Sequence, residues 1–377
     1  MSGVIDGGII RSVEVHPLRL RLREPFAVTS GARDHIDTVL VRVTTIGGSV
    51  GWGEASPDTA VTGETVGASI DALRGPIAKA VIGCAVDDLE SVAASVALVA
   101  PSCPAARAAI DIALHDLAAR HSGAPLWRWL AASSGVAERS RSSQPVLRIS
   151  RVVAMADPAE MAAVARRHVD AGFSTVKVKV GEPLHWERDV ERVAAVRAAV
   201  GDGVGIKVDV NEGWRVSEVA TAALEAMRQS WPLYVEQPVD RRDLDGLAEV
   251  RRRVPGIPIM ADESVRGVDD VCRLVDLGAA DLVNLKLMRI GGLADAVRAH
   301  AIATDAGLGV QIGTMIESSV ASAAGLHLAA ASAGVDLVEM GGPLMLAEDV
   351  ADVAGWYHGE LVTVPDRPGL GITPHLL

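Results

Sequence analysis

From about residue 146 onward, the sequence alternates short β-rich runs with amphipathic stretches of helical length. The β-rich runs number eight: VLRISRVV, TVKVKV, GIKVDV, LYVE, PIMA, DLVNLK, GVQIG and VDLVE. One stretch between them, DPAEMAAVARRHVDAG, offers Asp157 as a helix N-cap and Pro158 at the first helical position, and it stops at Gly172. Regular strand–helix alternation is typical of parallel βαβ units. Eight such units predict a closed (β/α)8-type, TIM-like barrel.

The first 130 or so residues lack this alternation. Two β-rich segments, IIRSVEVHPLRLRL and DTVLVRVTTIGGSVGWGEA, predict antiparallel strands with a turn at Gly47-Gly48, and helical stretches follow them. The predicted fold class is therefore α/β, a barrel preceded by an N-terminal α+β domain. We place that first domain at residues 1–135, the barrel at 136–355, and a C-terminal segment that packs back on the first domain at 356–377.

Composition excludes several classes of partner. The formal net charge is −12, without a basic run, which argues against nucleic acid and anionic membrane surfaces. Cys84, Cys103 and Cys272 lie far apart, which predicts a reducing compartment and no zinc site. No secretion-signal pattern opens the chain, and we expect a cytoplasmic location. The uncharged stretch 318–335 contains His327 and many small residues, and predicts a buried helix and not a membrane span.

Ionisable residues recur at the ends of the predicted barrel strands. They end five consecutive strands, at separations of 30, 27, 26 and 24 residues: Lys179, Asp209, Glu236, Asp262 and Lys286. Each separation matches one βα unit, and barrel active sites lie at the C-terminal ends of the strands. A buried charge is costly unless it is paired or metal-bound. One such residue could be a local cap, but five in series favour a functional site.

The three acids predict a metal site. Asp209, Glu236 and Asp262 end neighbouring strands, and three carboxylates that close repel one another unless a cation lies among them. Oxygen ligands without Cys or His favour Mg²⁺, with Mn²⁺ as the alternative. For each acid taken alone, the competing interpretation is a helix N-cap on the following loop.

The lysines predict proton transfer. Lys179 and Lys286 lie four strands apart in a ring of eight and face each other across its mouth, where a divalent cation and a second lysine would lower their pKa values toward those of bases. Lys177 shares the face of Lys179 because side chains two apart in a strand point the same way. We expect it to bind a substrate oxygen; the alternative is a sheet with one solvated face. Bases on two sides of a metal suit abstraction of a proton next to a carboxylate.

At these residues the sequence resembles the muconate-lactonizing subgroup of the enolase superfamily over nearly its whole length. The resemblance rests on KVKVG, VDVNEGW, EQP, ADES, NLKLMRIGG, GTMIESS and PDRPGLGI. It implies that the first domain caps the barrel, that loops 24–31 and 54–65 close over a small-molecule carboxylate substrate, and that the protein forms homo-oligomers. It also implies Lys179 and Lys286 as the acid/base pair and the three acids as Mg²⁺ ligands. The candidate substrate contacts are Lys177, Asn211, Thr314, Glu317 and Glu339.

The motifs GWGEASP, VTGET, EQPVDRRDLDGL, PIMADESV and GTMIES look most like dipeptide epimerases of the L-Ala-D/L-Glu type. Those enzymes carry Asp-x-Asp at the end of the eighth strand, where the acids hold the dipeptide ammonium group. This chain has Glu339-Met340-Gly341 there, and EMGGPLML resembles muconate cycloisomerases. The leading hypothesis is a Mg²⁺-dependent racemase or epimerase of a dipeptide or N-acyl amino acid. The alternatives are a muconate-type cycloisomerase that uses the same metal and lysines, and a non-catalytic barrel scaffold.

Overall fold

A computed structural model of the protein describes residues 8–28, 31–133, 144–335 and 337–375. The first domain begins with a three-stranded antiparallel sheet, whose strands are β1 (Ile10–Val28), β2 (Gly31–Thr45) and β3 (Val50–Ala55). The predicted glycine turn joins β2 to β3, and Gly48 adopts φ 84°, a left-handed conformation that glycine reaches without a steric penalty.

Within the described residues, the first domain continues with α-helices α1 (Val66–Ala72), α2 (Ala78–Val81), α3 (Leu89–Val99), α4 (Pro104–His121) and α5 (Leu126–Ser133), and a π-helical turn (Leu73–Ile77) joins α1 to α2. Helix α4 lies directly on β3, and the contact depends on two glycines of that strand. A Cβ atom on Gly51 would lie 2.2 Å from the Ala113 carbonyl oxygen, and one on Gly53 would lie 1.9 Å from the Ala109 carbonyl oxygen. Only glycine therefore allows the helix to approach the sheet this closely.

The second domain is the predicted barrel. Its eight strands are β5 (Arg151–Val153), β6 (Thr175–Lys179), β7 (Gly205–Asp209), β8 (Tyr234–Glu236), β9 (Ile259–Ala261), β10 (Leu282–Lys286), β11 (Gly309–Gly313) and β12 (Leu337–Val338). They pair in chain order, in parallel, and a parallel bridge between Ile149 and Val338 closes the ring. The predicted first strand is divided. Its first part is β4 (Val146–Arg148), which leaves the barrel and pairs antiparallel with a C-terminal strand.

Helices cover the outside of the ring: α6 (Pro158–Asp170), α7 (Trp186–Val200), α8 (Ser217–Met227), α9 (Leu244–Arg253), α10 (Val268–Leu277), α12 (Leu293–Asp305) and α13 (Ser319–Ala331). Two short helices, α11 (Leu287–Ile290) and α14 (Gly342–Met345), instead lie at the C-terminal ends of the strands. Helix α6 begins at Pro158 as predicted, but the Asp157 side chain pairs with Arg188 instead of capping the helix. Helix α13 is the predicted buried small-residue helix. Over the described residues, no helix is both long and apolar enough to cross a membrane.

The C-terminal segment contacts both domains. Strands β13 (Tyr357–His358) and β14 (Leu361–Thr363) form a small antiparallel sheet with β4 of the second domain. Further along, the Leu126 amide donates a hydrogen bond to the Gly369 carbonyl at 2.8 Å, at the start of α5. The residue limits of the three parts of the chain remain a prediction.

Two buried acids of the first domain bind helix N-termini of the barrel. The Glu54 side chain is 0% exposed and accepts hydrogen bonds from the backbone amides of Ser318 (2.9 Å) and Ala321 (3.0 Å), at the start of α13. Asp111 of α4 accepts from the amides of Leu293 and Ala294 at the start of α12. A carboxylate is favourable at a helix N-terminus, where backbone N–H groups lack intrahelical partners. These contacts fix the first domain over the barrel.

We expect Glu54→Ala to lower the free energy of unfolding by about 2–3 kcal/mol, because two buried amides lose their acceptor. The matched control is Glu14→Ala, which removes a partly exposed pair with Arg42 of 3.1 Å and should change the free energy by less than about 1 kcal/mol. Urea unfolding followed by circular dichroism measures both. Equal effects of the two changes would contradict the role of Glu54 at the domain contact.

Candidate active site

A cavity of about 1220 Å³ lies at the C-terminal ends of the barrel strands. Its floor includes Lys177, Lys179 and Lys286, and its cover includes the first-domain loop 56–61. Of the other predicted covering loop, 24–31, Glu24 and Pro25 line the cavity, whereas residues 29 and 30 lie outside the described chain. The cavity is therefore shared between the barrel mouth and the first domain, where the barrel architecture leads us to expect a site.

Strand register arranges the predicted residues in rows. Lys179, Asp209 and Glu236 are direct neighbours on β6, β7 and β8. Two residues earlier in each strand, Lys177 and Lys207 are neighbours in the same way. Because the side chains of a barrel interior stack in layers, one layer of charged groups lies at the mouth and a second lies beneath it.

Lys177 lies between carboxylates from three strands. Its side chain is 2% exposed, and its Nζ atom is 2.7 Å from Glu236 Oε2, 2.7 Å from Glu339 Oε2 and 3.1 Å from Asp209 Oδ2. Burial lowers the pKa of this ammonium group, but the three carboxylates raise it well above its ordinary value. Lys177 is therefore charged, and it holds neighbouring acids together against their mutual repulsion.

The two predicted bases occupy opposite sides of the ring. The Lys179 ammonium group donates to Asp209 Oδ2 at 2.6 Å and to Asn211 Oδ1 at 3.0 Å. The Lys286 ammonium group donates to Asp262 Oδ2 at 2.7 Å. Burial lowers the pKa of Lys286, but Asp262 outweighs it and the net shift is upward. The lower lysine pKa values predicted from the sequence assumed a divalent cation among these carboxylates. In the ion pair with Asp262, the pKa of Lys286 shifts in the opposite direction.

The three acids differ in ionisation. Burial raises the pKa of Glu236 to about 8, and the neighbouring Asp209 carboxylate adds to the rise. Burial acts on Asp262 in the same direction, but the Arg289 guanidinium, 2.7 Å from Asp262 Oδ1, and Lys286 hold its pKa well below the usual range. The pKa of Asp209 is lowered by Lys179 and Lys177, against burial. The difference follows the number of cationic groups at each acid: among the described residues, Asp209 and Asp262 each contact two, whereas Glu236 contacts Lys177 alone.

The donor set fits a hard divalent cation. Asp209, Glu236 and Asp262 supply carboxylate oxygens and no soft ligand, the chemistry that Mg²⁺ prefers. Although Lys177 lies close to Glu236 Oε2, it is not aligned to donate, and this buried oxygen has no hydrogen-bond partner. Within the described residues, however, no three acidic, His or Cys side chains already form a metal-binding group. A metal ion would therefore have to replace lysine contacts to these acids.

Of the remaining predicted substrate contacts, Asn211 and Thr314 line the cavity, whereas Glu317 is not among its lining residues. Asn211 donates its amide to Glu263 Oε1 at 3.0 Å, and its backbone adopts φ 46°, a conformation that asparagine tolerates better than most residues. Thr314 lines the cavity and donates to the Met315 carbonyl at 2.6 Å. Glu317 is 3% exposed, and burial raises its pKa to about 8. The roles of all these residues stay predictions.

Sequence reasoning missed several members of the site. Lys207 stands two residues before Asp209 and shares its face, so the period of two that identified Lys177 also points to it. Asn284, which donates to Glu236 Oε1 at 2.9 Å, precedes Lys286 by the same interval. Arg289 follows β10 on helix α11 and turns back to Asp262. No strand periodicity predicts that contact.

Comparisons with known proteins agree with this architecture. The family model described as Mandelate racemase / muconate lactonizing enzyme, N-terminal domain, matches residues 10–131, and the one described as Enolase C-terminal domain-like matches residues 160–376. The chain is 33% identical to the N-succinyl-L-Arg/Lys racemase of Bacillus cereus, over 96% of this chain and 95% of that one. It is 31% identical to the L-Ala-D/L-Glu epimerase of Clostridium acetobutylicum, over 97% of this chain and 98% of that one.

Among solved structures, the chain is similar to a dipeptide epimerase from Enterococcus faecalis complexed with Mg and the dipeptide L-Leu-L-Tyr. The TM-score is 0.90 at 31% identity, with 97% of this chain and 100% of that chain covered. The resemblance predicted from the motifs is confirmed. By these matches, which span both domains, the chain belongs to the mandelate racemase / muconate lactonizing enzyme family, with its enolase-like barrel.

Proposed function

We propose that the protein is a divalent-metal-dependent racemase or epimerase of dipeptides or N-acyl amino acids, that is, an isomerase. The reaction inverts a carbon next to a carboxylate. One observation carries the proposal: Lys179 and Lys286 lie four strands apart in the ring and line one cavity, and the ends of the strands between them carry three acids. The names of the relatives, racemases and epimerases of N-succinyl amino acids and dipeptides, support the same reaction class.

In this mechanism the three acids Asp209, Glu236 and Asp262 would hold Mg²⁺, with Mn²⁺ as the alternative. The bound metal supplies a Lewis acid that offsets the negative charge developing on the substrate carboxylate. One lysine, as the neutral amine, takes the α-proton from its side of the substrate and becomes an ammonium group. The opposite lysine, as an ammonium group, gives a proton to the other side and becomes neutral. Without the metal, Asp209 and Asp262 orient the two lysines by the hydrogen bonds they accept.

The cover of the cavity serves to exclude water from the transfer. Ser56 of the first domain donates to the Ile316 carbonyl of the barrel at 2.9 Å. Arg241, in the loop after β8, donates to the Ala60 carbonyl at 2.9 Å, and Glu212 pairs with the same guanidinium. Loop 56–61 is thus bound to the barrel at two points.

A muconate-type cycloisomerase is the second candidate. The sequence after the eighth strand, EMGGPLML, favours it, because this stretch resembles muconate cycloisomerases and Gly341 adds no second acid to Glu339. Cycloisomerisation needs only one lysine to move a proton, with the other as an electrostatic aid.

The proposal includes a cytoplasmic homo-oligomer. All three cysteines are free thiols of intermediate exposure, which supports a reducing compartment. Sedimentation velocity of the purified protein measures the assembly, and we expect a species larger than the 39.2 kDa chain.

The direct test of the reaction is α-proton exchange in D₂O. We expect the enzyme with Mg²⁺ to incorporate deuterium into both stereoisomers of a dipeptide or an N-acyl amino acid within a substrate library. Nuclear magnetic resonance detects the loss of the α-proton. Conversion of cis,cis-muconate without exchange on any amino acid derivative would favour the cycloisomerase instead.

The metal prediction concerns the three acids. We expect Asp209→Asn, Glu236→Gln and Asp262→Asn each to weaken Mg²⁺ binding by more than about 100-fold, because even residues that only support metal ligands contribute about 10- to 100-fold. Isothermal titration calorimetry measures the affinity, and Asp305→Asn, an exposed acid at the end of α12, is the control. Unchanged affinity in all three variants would refute this ligand set.

The lysine prediction separates the two reactions. We expect Lys179→Ala and Lys286→Ala each to reduce net inversion by about 10²–10⁴-fold, the usual contribution of a general base. Each variant should still exchange the proton of the one stereoisomer whose hydrogen faces the remaining lysine. The exposed Lys79 provides the control, Lys79→Ala. Full inversion by either site variant, measured with each isomer in D₂O, would rule out a two-base mechanism.

A further inference from the structure

The ring order tells where the acyl part of a substrate lies. In the proposed reaction the substrate α-carbon lies between Lys179 on β6 and Lys286 on β10, and the substrate carboxylate points to the acids of β7 to β9. The other substituents of the α-carbon then point to the remaining arc of the ring. That arc consists of β11, β12 and β5. Its residues at the cavity include Thr314, Glu339 and Ser150. The charge of this arc therefore selects the group attached to the substrate nitrogen.

At the ends of these three strands, Glu339 is the acid that lines the cavity, and its charge is already balanced. Its carboxylate is 9% exposed, with Oε2 2.7 Å from Lys177 Nζ and Oε1 3.5 Å from Lys207 Nζ. The Ser150 hydroxyl donates to Oε1 at 3.3 Å. Burial raises the pKa of Glu339, but the two lysines outweigh it and the net shift is downward.

Lys207 depends on Glu339. Its side chain is 3% exposed, and its remaining contacts are neutral: the Ser150 hydroxyl at 3.2 Å and Gln311 Oε1 at 3.4 Å. Among the described residues, Glu339 is the one acid that forms an ion pair with it. Because a buried ion pair is costly to break, a Glu339 side chain that turned to a substrate cation would leave Lys207 without its ion pair.

The rest of the arc offers an ammonium group no full negative charge. Glu317, in the loop after β11, is buried and is not among the residues that line the cavity, and burial raises its pKa to about 8. Gly341 and Gly342 line the cavity without side chains, followed by Leu344 and Met345. An ammonium group bound here would lose its hydration and gain no ionic partner.

We infer that this site, given the racemase or epimerase reaction proposed above, takes amino acids whose nitrogen carries a neutral acyl group, and discriminates against dipeptides with a free ammonium terminus. The discrimination follows from the Lys177–Glu339–Lys207 ion pairs together with the bare backbone at Gly341.

The test compares two ligands of the same shape. An N-propionyl amino acid and the corresponding glycyl dipeptide differ by a methyl group in place of the ammonium group. Both ligands carry the same amino acid, chosen as the one whose α-proton the enzyme exchanges fastest. We expect wild-type kcat/KM for deuterium exchange to be about tenfold or more higher for the N-propionyl compound, because the ammonium group of the dipeptide would be buried without an ionic partner. Calorimetry should show the same order of binding affinity.

Gly341 permits a gain-of-function variant. A Cβ atom there meets nothing within 4 Å, and the residue has φ −95°, which any amino acid adopts. Gly341→Asp should therefore move the ratio of glycyl to propionyl kcat/KM by about tenfold or more toward the dipeptide. The isosteric Gly341→Asn, without the charge, should leave the ratio within about twofold of wild type.

Equal or better binding and turnover of the glycyl dipeptide by the wild type would overturn the inference, since another group, such as Glu263, would then receive the ammonium. The same conclusion follows if Gly341→Asp and Gly341→Asn shift the ratio alike. Failure of the proposed reaction looks different, because neither ligand would exchange its α-proton. In that case the calorimetric order of affinities still decides, and the absence of a preference for the propionyl compound refutes the inference.

Discussion

Repulsion among buried carboxylates is the constraint on which the rest of the site depends. Asp209, Glu236 and Asp262 end adjacent strands, and burial alone would protonate them. Lysines interleaved between them hold the acids in place: Lys177 contacts two of the three, and Lys179 and Lys286 each contact one. The same ion pairs orient the ammonium groups that face the cavity. A divalent cation would exchange with some of these contacts, and the proton-transfer groups and the metal ligands thus form one electrostatic unit.

Buried carboxylates also join the two domains. Glu54 and Asp111 are buried acids, and both accept hydrogen bonds from backbone amides at helix N-termini, where a carboxylate is favourable. Burial raises the pKa of Glu54, and hydrogen bonds from Ser318 act against that rise. Because β3 ends at Ala55, the Glu54 contact also determines where the loop that covers the cavity begins. The position of the cover therefore follows from the domain contact.

The sequence predicted those parts of the fold and site that follow from periodicity. Strand–helix alternation predicted the barrel. The period of two within strands predicted that Lys177 and Lys179 share one face, and this is confirmed because both residues line the cavity. Contacts that depend on tertiary packing were not predicted. Arg289 reaches Asp262 from a helix, and the first β-rich run splits because β4 finds a partner in β14. Asp157 pairs with Arg188 on another helix in preference to its own helix terminus.

The central claim is that the acids at the ends of β7, β8 and β9 receive a divalent cation in exchange for lysine contacts. Anomalous diffraction at the manganese edge, from crystals of the protein grown with Mn²⁺, measures this most directly. We expect one strong peak bonded to oxygens of Asp209, Glu236 and Asp262, and we expect Lys177 to have lost its contact with at least one of Asp209 and Glu236. A map without a peak at these acids, in which Lys177, Lys179 and Lys286 keep their present partners, would contradict it.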